Sequence, residues 1–461
     1  MELKNKRALV VGLGRSGVAS AFFLQDHGAK VTVSDSKSEA QLQNEIAALL
    51  DRGVSIETGR HGERTFRDQD LIVVSPGVPF DQPQLQHART LGIPVIGEVE
   101  LAFRFLQGRV IAITGSNGKT TTTTLVGEIL VQSGKKTLVG GNIGTPVISL
   151  VPQSTPDTLV VLEISSFQLE TIQEFRPWIA AILNITPDHL DRHRTFQAYV
   201  DAKARLFMNQ QATDFAVLNA DDPTCVALQQ EDRVKAPLAW FSRKHTLGDT
   251  TGAYVKDDQI VYRQDGREQP VLSRQDIQLK GAHNLENVLA AVSMGMLAGC
   301  APQQIKKAVS EFRAVEHRLE LVATVGGVAF YNDSKATNVD ATLKALESFP
   351  GNVHVILGGK DKGSDYSVLN PLLRSRAKRA YLIGAAADKI GAQIQGSTTL
   401  VRSGTLERAV RQAFESAAPG DIVLLAPACA SFDQFDNYEH RGHVFKEIVL
   451  SLAPVTLGDR T

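Results

Sequence analysis

The sequence predicts an α/β fold in three domains. Three observations carry that expectation. At 461 residues the chain exceeds what one ordinary core organises. Short β-branched runs alternate with longer stretches of helical period, the pattern of parallel sheets covered by helices. Two glycine-rich loops each follow a buried apolar run and open a helix, the arrangement that binds phosphate in such sheets. The expected domains are residues 1–97, 98–303 and 304–461.

The first domain opens with the strand Arg7–Val11, a glycine turn and a helix through Phe22, Phe23 and Leu24. A second strand, Lys30–Val33, ends at Asp35; Leu71–Val74 runs into Ser75-Pro76-Gly77, and Pro94–Ile96 ends near Gly97-Glu98. After Glu98 a connecting helix is expected. Gly12-Leu13-Gly14-Arg15-Ser16-Gly17, with Asp35 closing the next strand, fits a dinucleotide fingerprint, so the domain reads as Rossmann-like. Physically the fingerprint places a phosphate on a helix N-terminus and a hydroxyl beside an acid. A UDP-sugar offers both features as well as a nicotinamide dinucleotide does. A purely structural turn is the plainer alternative.

The second domain starts with the buried strand Val110–Thr114, the loop Gly115-Ser116-Asn117-Gly118-Lys119 and a helix ending at Gly134. Backbone N–H groups of such a loop bind phosphate oxygens. Lys119 would pair with the β- and γ-phosphates, and the Thr120 hydroxyl would ligate Mg²⁺. The standard P-loop pattern lacks its first glycine, since Ile113 stands there; the alternative is a glycine turn without a ligand. Strands Leu159–Ile164 and Ile179–Ile185 continue the parallel pattern. Glu163 ends the first of these, where open α/β sheets bind ligands, and is placed to reach the cation. His189, in Asn184-Ile185-Thr186-Pro187-Asp188-His189-Leu190-Asp191, also lies just past a strand; a lone histidine is more often structural than a ligand, but a strand end in polar company makes the two readings about even here. Lys203 reads locally as a surface lysine. From about Asp214 to Gly281 the text changes, and Ala253–Lys256 and Gln259–Arg263 around Asp257-Asp258 signal a hairpin, read as a small antiparallel elaboration. The helix Asn284–Leu297 closes the domain.

The third domain begins near Ala301-Pro302, with strands expected at Val328–Tyr331, Val353–Leu357, Ala380–Ile383 and Ile422–Leu425; it too reads as Rossmann-like. Asn332–Asn338, Gly358–Gly363 and Pro427–Phe435 follow three of these strands and are small and polar. Each alone is an ordinary loop; together, at corresponding strand ends, they suggest a binding face.

Composition narrows the classes. The formal net charge is -1, with no long basic block, which argues against nucleic acid as the partner. No stretch is long and apolar enough for a membrane span, and the start, Met1–Lys6 followed by a run broken at Gly12 and Gly14, does not read as a signal peptide. Cys225, Cys300 and Cys429 are odd in number and without metal spacing, as in a reducing compartment. A cytoplasmic protein is expected.

Taken in order, Thr114–Thr120, Gly141-Asn142-Ile143-Gly144, Glu163–Glu170, Asp188–Asp191, His283-Asn284 with Asn287, and His317-Arg318 resemble the motifs of the Mur ligase family, over essentially the whole chain. That family's short P-loop variant accounts for the missing glycine. Asn332–Asn338, Ser75-Pro76-Gly77 and Pro427–Phe435 resemble the member that adds D-glutamate. The resemblance implies an ATP-dependent amide ligase of peptidoglycan precursor synthesis, acting on UDP-N-acetylmuramoyl-L-alanine and D-glutamate through an acyl phosphate, as a monomer. It implies that Gly14, Arg15, Ser16, Asp35, Ser36, Lys37, Ser75, Pro76 and Gly77 hold the UDP part. It gives Gly115 to Thr121, that is Gly115, Ser116, Asn117, Gly118, Lys119, Thr120 and Thr121, with Asn284, Asn287, Arg318 and Asp333, to ATP. Thr120 and Glu163 would hold one Mg²⁺; His189 and a carbamylated Lys203 would hold a second. Asn142 would contact phosphate or the acyl portion. Lys335, Thr337, Lys362, Ser431, Phe432 and Tyr438 would hold D-glutamate. Lys360 stands where this branch can carry an acid, and Asp361 follows it, so the roles in that loop stay open. An NAD-dependent oxidoreductase is the rival from the first loop alone; it leaves Lys119, Glu163 and His189 unused.

Overall fold

A computed structural model describes residues 1–142, 144–279, 281–313 and 316–452. Ile143 of the Gly141–Gly144 stretch lies outside the described residues. Residue contacts gather the chain into two units, one of residues 1–185, 197–276 and 286–310, the other of residues 186–196, 277–285 and 311–461.

The first unit contains two sheets. In the N-terminal one, β1 (Arg7–Val11), β2 (Lys30–Asp35), β3 (Ser55–Thr58), β4 (Leu71–Val74) and β5 (Val95–Gly97) are all parallel, in the order β3-β2-β1-β4-β5. The chain winds one way from β1 to β3 and the other way from β4, so the strand order reverses between β1 and β4. Such a switch point opens a crevice at the strand C-termini. Leu9, Val11, Ile72 and Val74 are buried on one face, with Phe66, Leu85 and Ala88 over them.

The second sheet has nine strands: β6 (Arg109–Thr114), β7 (Thr137–Gly141), β8 (Leu159–Glu163), β9 (Ile179–Ile182), β10 (Phe215–Asn219), β11 (Leu238–Ser242), β12 (Gly252–Lys256), β13 (Gln259–Gln264) and β14 (Arg267–Ser273). Their order is β14-β13-β12-β11-β10-β9-β6-β8-β7. The antiparallel part is smaller than expected. β10 pairs in parallel with β9 on one side and β11 on the other, and β11 in parallel with β12, so only β12-β13-β14 run antiparallel. Segments such as Ala216-Val217-Leu218 are short continuous apolar runs, buried on both faces, and periodicity cannot assign such a strand's direction.

Two glutamates join the sheets within this unit. Glu98 and Glu100 open the helix Glu98–Phe103, straight after β5. Glu98 Oε1 accepts the Ile148 N–H at 2.7 Å. Glu100 is fully buried and accepts the N–H groups of Gln173 (2.8 Å), Glu174 and Phe175 (3.0 Å), with Arg104 Nε at 2.9 Å. Buried charges persist only when paired in this way.

The sheet of the second unit has six strands, β15 (Glu320–Val325), β16 (Val328–Asn332), β17 (Val353–Gly358), β18 (Ala377–Ile383), β19 (Thr399–Gly404) and β20 (Ile422–Leu425), in the order β15-β16-β20-β17-β18-β19. β15 is antiparallel to β16; the rest are parallel. Apolar layers cover both faces, with Val355, Leu357 and Leu382 on one and Phe330, Ile356 and Tyr381 on the other. Among the described residues no helix is long and apolar enough to cross a membrane.

Candidate functional site

The N-terminal crevice is built by β1, β2 and β4. Gly12 has φ +90°, and a Cβ there would meet the Val78 side chain at 2.7 Å; a Cβ on Gly17 would overlap the Gly12 carbonyl. Gly12 and Gly17 are therefore needed for the turn itself. Asp35 is buried, and its carboxylate accepts Leu13 N–H at 2.7 Å and Lys37 N–H at 2.8 Å. Ser75 Oγ donates to Gly12 O at 2.7 Å. Both side chains thus brace the loop. Gly14, Arg15, Ser36, Lys37 and Gly77 are exposed around them, with Ser16 and Pro76 half-buried.

The phosphate-type loop joins β6 to the helix Lys119–Gln132. Gly118 has φ +86°, and a Cβ there would overlap the Asn287 side-chain oxygen, so Asn287 packs on the loop. Asn184, past the end of β9, clamps Asn117 from both sides: Asn117 N–H donates to Oδ1 at 2.9 Å and Nδ2 donates to Asn117 O at 3.1 Å. Lys119 Nζ donates to Gly115 O (2.8 Å) and Ser116 O (2.9 Å). Behind the loop, Thr120 Oγ1 donates to Glu163 Oε2 at 2.7 Å and Asn142 Nδ2 to Glu163 Oε1 at 2.8 Å. Glu163 is buried. The chain leaves it through Ser165, which caps the next helical turn in a reciprocal box with Gln168. A buried hydroxyl and a carboxylate sharing one spot are hard oxygen donors, which suits magnesium. Thr121 is buried in the first turn of the helix.

Lys203 is not at the surface. It is buried on the helix Phe196–Ala204, and its Nζ donates to Gly115 O at 2.8 Å and reaches Thr114 Oγ1 at 3.4 Å. It also lies over the Tyr199 ring, whose hydroxyl meets Ser116 Oγ at 3.1 Å. The local reading failed because a helix of mixed polarity carries no signal that its lysine faces a loop nearly ninety residues away. Asn184 and Tyr199 were also missed; only their places beside a strand end and in the Lys203 helix could have marked them.

In the second unit, His189 has φ +53°, unusual for a non-glycine residue. The neighbouring Asp188 accepts Lys362 Nζ at 2.7 Å and Asn338 Nδ2 at 2.9 Å. Burial pushes the Asp188 carboxyl up, but Lys362, His189 and Asn338 outweigh it and hold it well below the usual carboxylate range. His283, Arg318, Asp333, Lys335 and Lys344 line a small cleft. Arg318 Nε is buried there with no hydrogen-bond acceptor among the described residues, the sort of orphan donor a ligand satisfies. Burial raises the Asp333 carboxyl to about 6 against the pull of Arg318. Burial, then Arg318 and Lys344, depress His283 to about 3. Asn284 is buried beside His283 at the start of the helix Ala282–Leu297. Sequence reading singled out neither His283 nor Lys344 as lining a site.

Three loops at the ends of adjacent strands β16, β20 and β17 bring the remaining residues together. Ala428 N–H donates to Ala336 O at 2.9 Å, and Lys360 and Ala430 exchange backbone hydrogen bonds. Lys335 Nζ lies 5.1 Å from the Tyr438 ring centroid. Thr337 and Lys362 are half-buried, Ser431 is buried and Phe432 is 66% exposed. Asp361 pairs with Lys389 at 2.7 Å and accepts the Tyr366 hydroxyl at 2.7 Å, so its carboxylate braces the loop, while the Lys360 side chain is exposed.

Residues 6–97 match the family model "Mur ligase MurD-like, N-terminal domain", residues 113–295 the Mur ligase middle domain, and residues 317–429 the Mur ligase glutamate ligase domain. The chain is 65% identical to the UDP-N-acetylmuramoylalanine–D-glutamate ligase of Koribacter versatilis over 98% of this chain and 99% of that one. It is 57% identical to the enzyme of the same name from Acidobacterium capsulatum, over 98% and 97%. Among solved structures, MurF ligase from Thermotoga maritima in complex with ADP superimposes with a TM-score of 0.62 at 15% identity, covering 98% of this chain and 100% of that one. A pseudomurein peptide ligase type C from Methanothermus fervidus gives 0.61 at 20%, covering 97% and 100%. These two likenesses concern the fold.

Proposed function

Because the chain belongs to the Mur ligase family, we propose that it joins D-glutamate to the lactyl-L-alanine carboxylate of UDP-N-acetylmuramoyl-L-alanine, with ATP converted to ADP and phosphate. The observation that carries the chemistry is the Thr120–Glu163–Asn142 cluster behind a glycine loop that carries Lys119. This is the equipment for moving a phosphoryl group. A carboxylate is a poor electrophile, and phosphorylation to an acyl phosphate makes it a good one. Both partners in that transfer are anions, so the main obstacle is electrostatic. Lys119 would leave its loop carbonyls to meet the β- and γ-phosphates. Magnesium held by Thr120 and Glu163 would neutralise charge on the transferring group. Lys203, as a carbamate, and His189 would be further magnesium ligands; only the carbamate would give the lysine oxygen donors. Asn142, held by Glu163, would contact phosphate or the acyl portion of the substrate.

The amine of D-glutamate would then attack the acyl phosphate, with a nearby base, or His189 where it is not holding magnesium, taking its proton and phosphate leaving. In the second unit, Asn284, Arg318 and Asp333 are the proposed ATP contacts, and Lys335, Thr337, Lys362, Ser431, Phe432 and Tyr438 those of D-glutamate. The crevice residues Gly14, Arg15, Ser16, Ser36, Lys37, Pro76 and Gly77 would meet the UDP part, on a frame set by Asp35 and Ser75. The protein would work in the cytoplasm as a monomer.

The test is ATP-dependent phosphate release with UDP-N-acetylmuramoyl-L-alanine and a panel of D- and L-amino acids. Release with D-glutamate alone is expected. Release with another amino acid instead would keep the ligase and discard the amino acid. No release with any would overturn the reaction class.

A further inference from the structure

Arg441 is the most deeply buried cation of the second unit, 1% exposed. It sits in the first turn of the helix Tyr438–Ser451, which Asn437 caps by accepting His440 N–H at 2.7 Å. Among the described residues, none of its hydrogen bonds goes to a carboxylate. Nη2 donates to Ser334 O at 2.8 Å, Nε to Ser334 Oγ at 3.0 Å and Nη1 to Cys429 O at 3.2 Å. Ser334 Oγ in turn donates to Tyr438 O at 2.8 Å, closing a ring of bonds. A Cβ on Gly359 would lie 3.3 Å from Nη1, so the guanidinium also rests against the third loop. Burial lowers Arg441 to about 10, with Cys429 and Asp433 acting the other way, so it stays charged at neutral pH.

Burying a guanidinium costs several kcal/mol, and an apolar side chain of similar size usually stabilises a core better. A residue that bears such a cost without an ion pair is doing something packing does not require. Its partners show what. Ser334 precedes Lys335, Cys429 lies two residues before Ser431, and Gly359 lies in the loop that ends with Lys362 and Gly363. One planar fork fixes peptides on two strand-end loops and abuts a third.

We propose that Arg441 is a positioning residue for the amino-acid substrate: through Ser334 and Cys429 it sets the places of Lys335, Thr337 and Ser431 without itself touching the ligand. The proposal rests on the reading of those residues as the amino-acid site. It is tested by steady-state kinetics of the full-length enzyme with Arg441→Lys, Arg441→Met and Ser334→Ala. KM for the amino acid should rise at least tenfold in Arg441→Met. It should rise less in Arg441→Lys, which keeps some donors, and in Ser334→Ala, which removes one acceptor. KM for ATP should stay within about twofold in all three. Loss of stability alone lowers active enzyme and kcat, not one KM among three. An unchanged amino-acid KM in folded Arg441→Met overturns the proposal. If Arg441→Met does not fold, unchanged values in both milder variants overturn it. The wild type is run beside them. If it turns over with an amino acid other than D-glutamate, the substrate reading fails, while the Arg441 effect is read with that amino acid.

Discussion

Replacing Glu163 by glutamine keeps the shape of a buried side chain and removes its charge. The carboxylate now accepts Thr120 O–H at 2.7 Å on one oxygen and Asn142 N–H at 2.8 Å on the other. Glutamine offers one acceptor and one donor, so either Thr120 keeps its partner and Asn142 faces an amide N–H, or the reverse. A buried donor left unmatched costs about 1–3 kcal/mol, and charge-assisted bonds are worth about 1.5–3 kcal/mol each. The cation proposed between Thr120 and Glu163 loses its anionic ligand as well. A loss near 3 kcal/mol corresponds to roughly a hundredfold in an equilibrium constant. The expected result for Glu163→Gln is a rise of that order in the magnesium concentration giving half-maximal phosphate release. KM for UDP-N-acetylmuramoyl-L-alanine should change less, because the crevice that would hold the UDP part is built on the other sheet, by β1, β2 and β4. The assay is a magnesium titration at saturating ATP and amino acid, on protein shown to melt cooperatively. Magnesium half-saturation within threefold of wild type would refute the assignment of Glu163 as a ligand.

Lys119→Ala should lower kcat on the order of 100-fold or more while leaving KM for the UDP substrate near wild type; comparable losses in both would contradict its place on the phosphates. Lys203→Ala should be nearly inactive in phosphate release, with partial rescue by short carboxylates, and wild-type-like turnover would remove the carbamate. Glu98 gives a pH prediction. Burial raises its carboxyl from 4.5 to about 7 against the Ile148 and Val147 N–H groups. The folded state therefore holds a proton that the unfolded state releases, and this contribution is full below pH 4.5 and lost as pH rises through 7. At about 1.4 kcal/mol per pH unit, the stability of Glu98→Gln relative to wild type should grow by on the order of 3 kcal/mol across that window. Denaturant unfolding at pH 4.5 and 7.5 checks this, and a constant difference would show that Glu98 is ionised in the fold.

The loops were legible because their chemistry is local. Gly12–Gly17 and Gly115–Lys119 each need glycine where the backbone turns to positive φ, and the buried strand before each is a run of apolar letters. The position of Glu163 at a strand end was legible, and Thr120 Oγ1 meets it there. Other features were less so, because tertiary context decides them. The direction of β10 and β11 depends on neighbours across the sheet. Lys203 looks like any helix lysine until Gly115 O and Tyr199 are beside it. Asp35, read toward a ligand hydroxyl, also holds Leu13 and Lys37 N–H, a second task for an acid at a strand end that local sequence does not reveal. Arg441 left no trace at all, because its partners are main-chain carbonyls, which every sequence has.

The segment of residues 186–196 has a consequence for anyone who would cut this chain. It follows β9 of the central sheet in sequence, yet its contacts belong with the C-terminal residues. Asp188 ties Lys362 and Asn338, and Thr186 Oγ1 donates to Asp340 at 3.2 Å. A fragment beginning near residue 304 would thus inherit a lysine and an asparagine stripped of their shared acid, and would also lack His283 from its cleft. The C-terminal part is contiguous to a gene but not to a chemist; a faithful excised version would have to graft a stretch of the middle of the chain onto it.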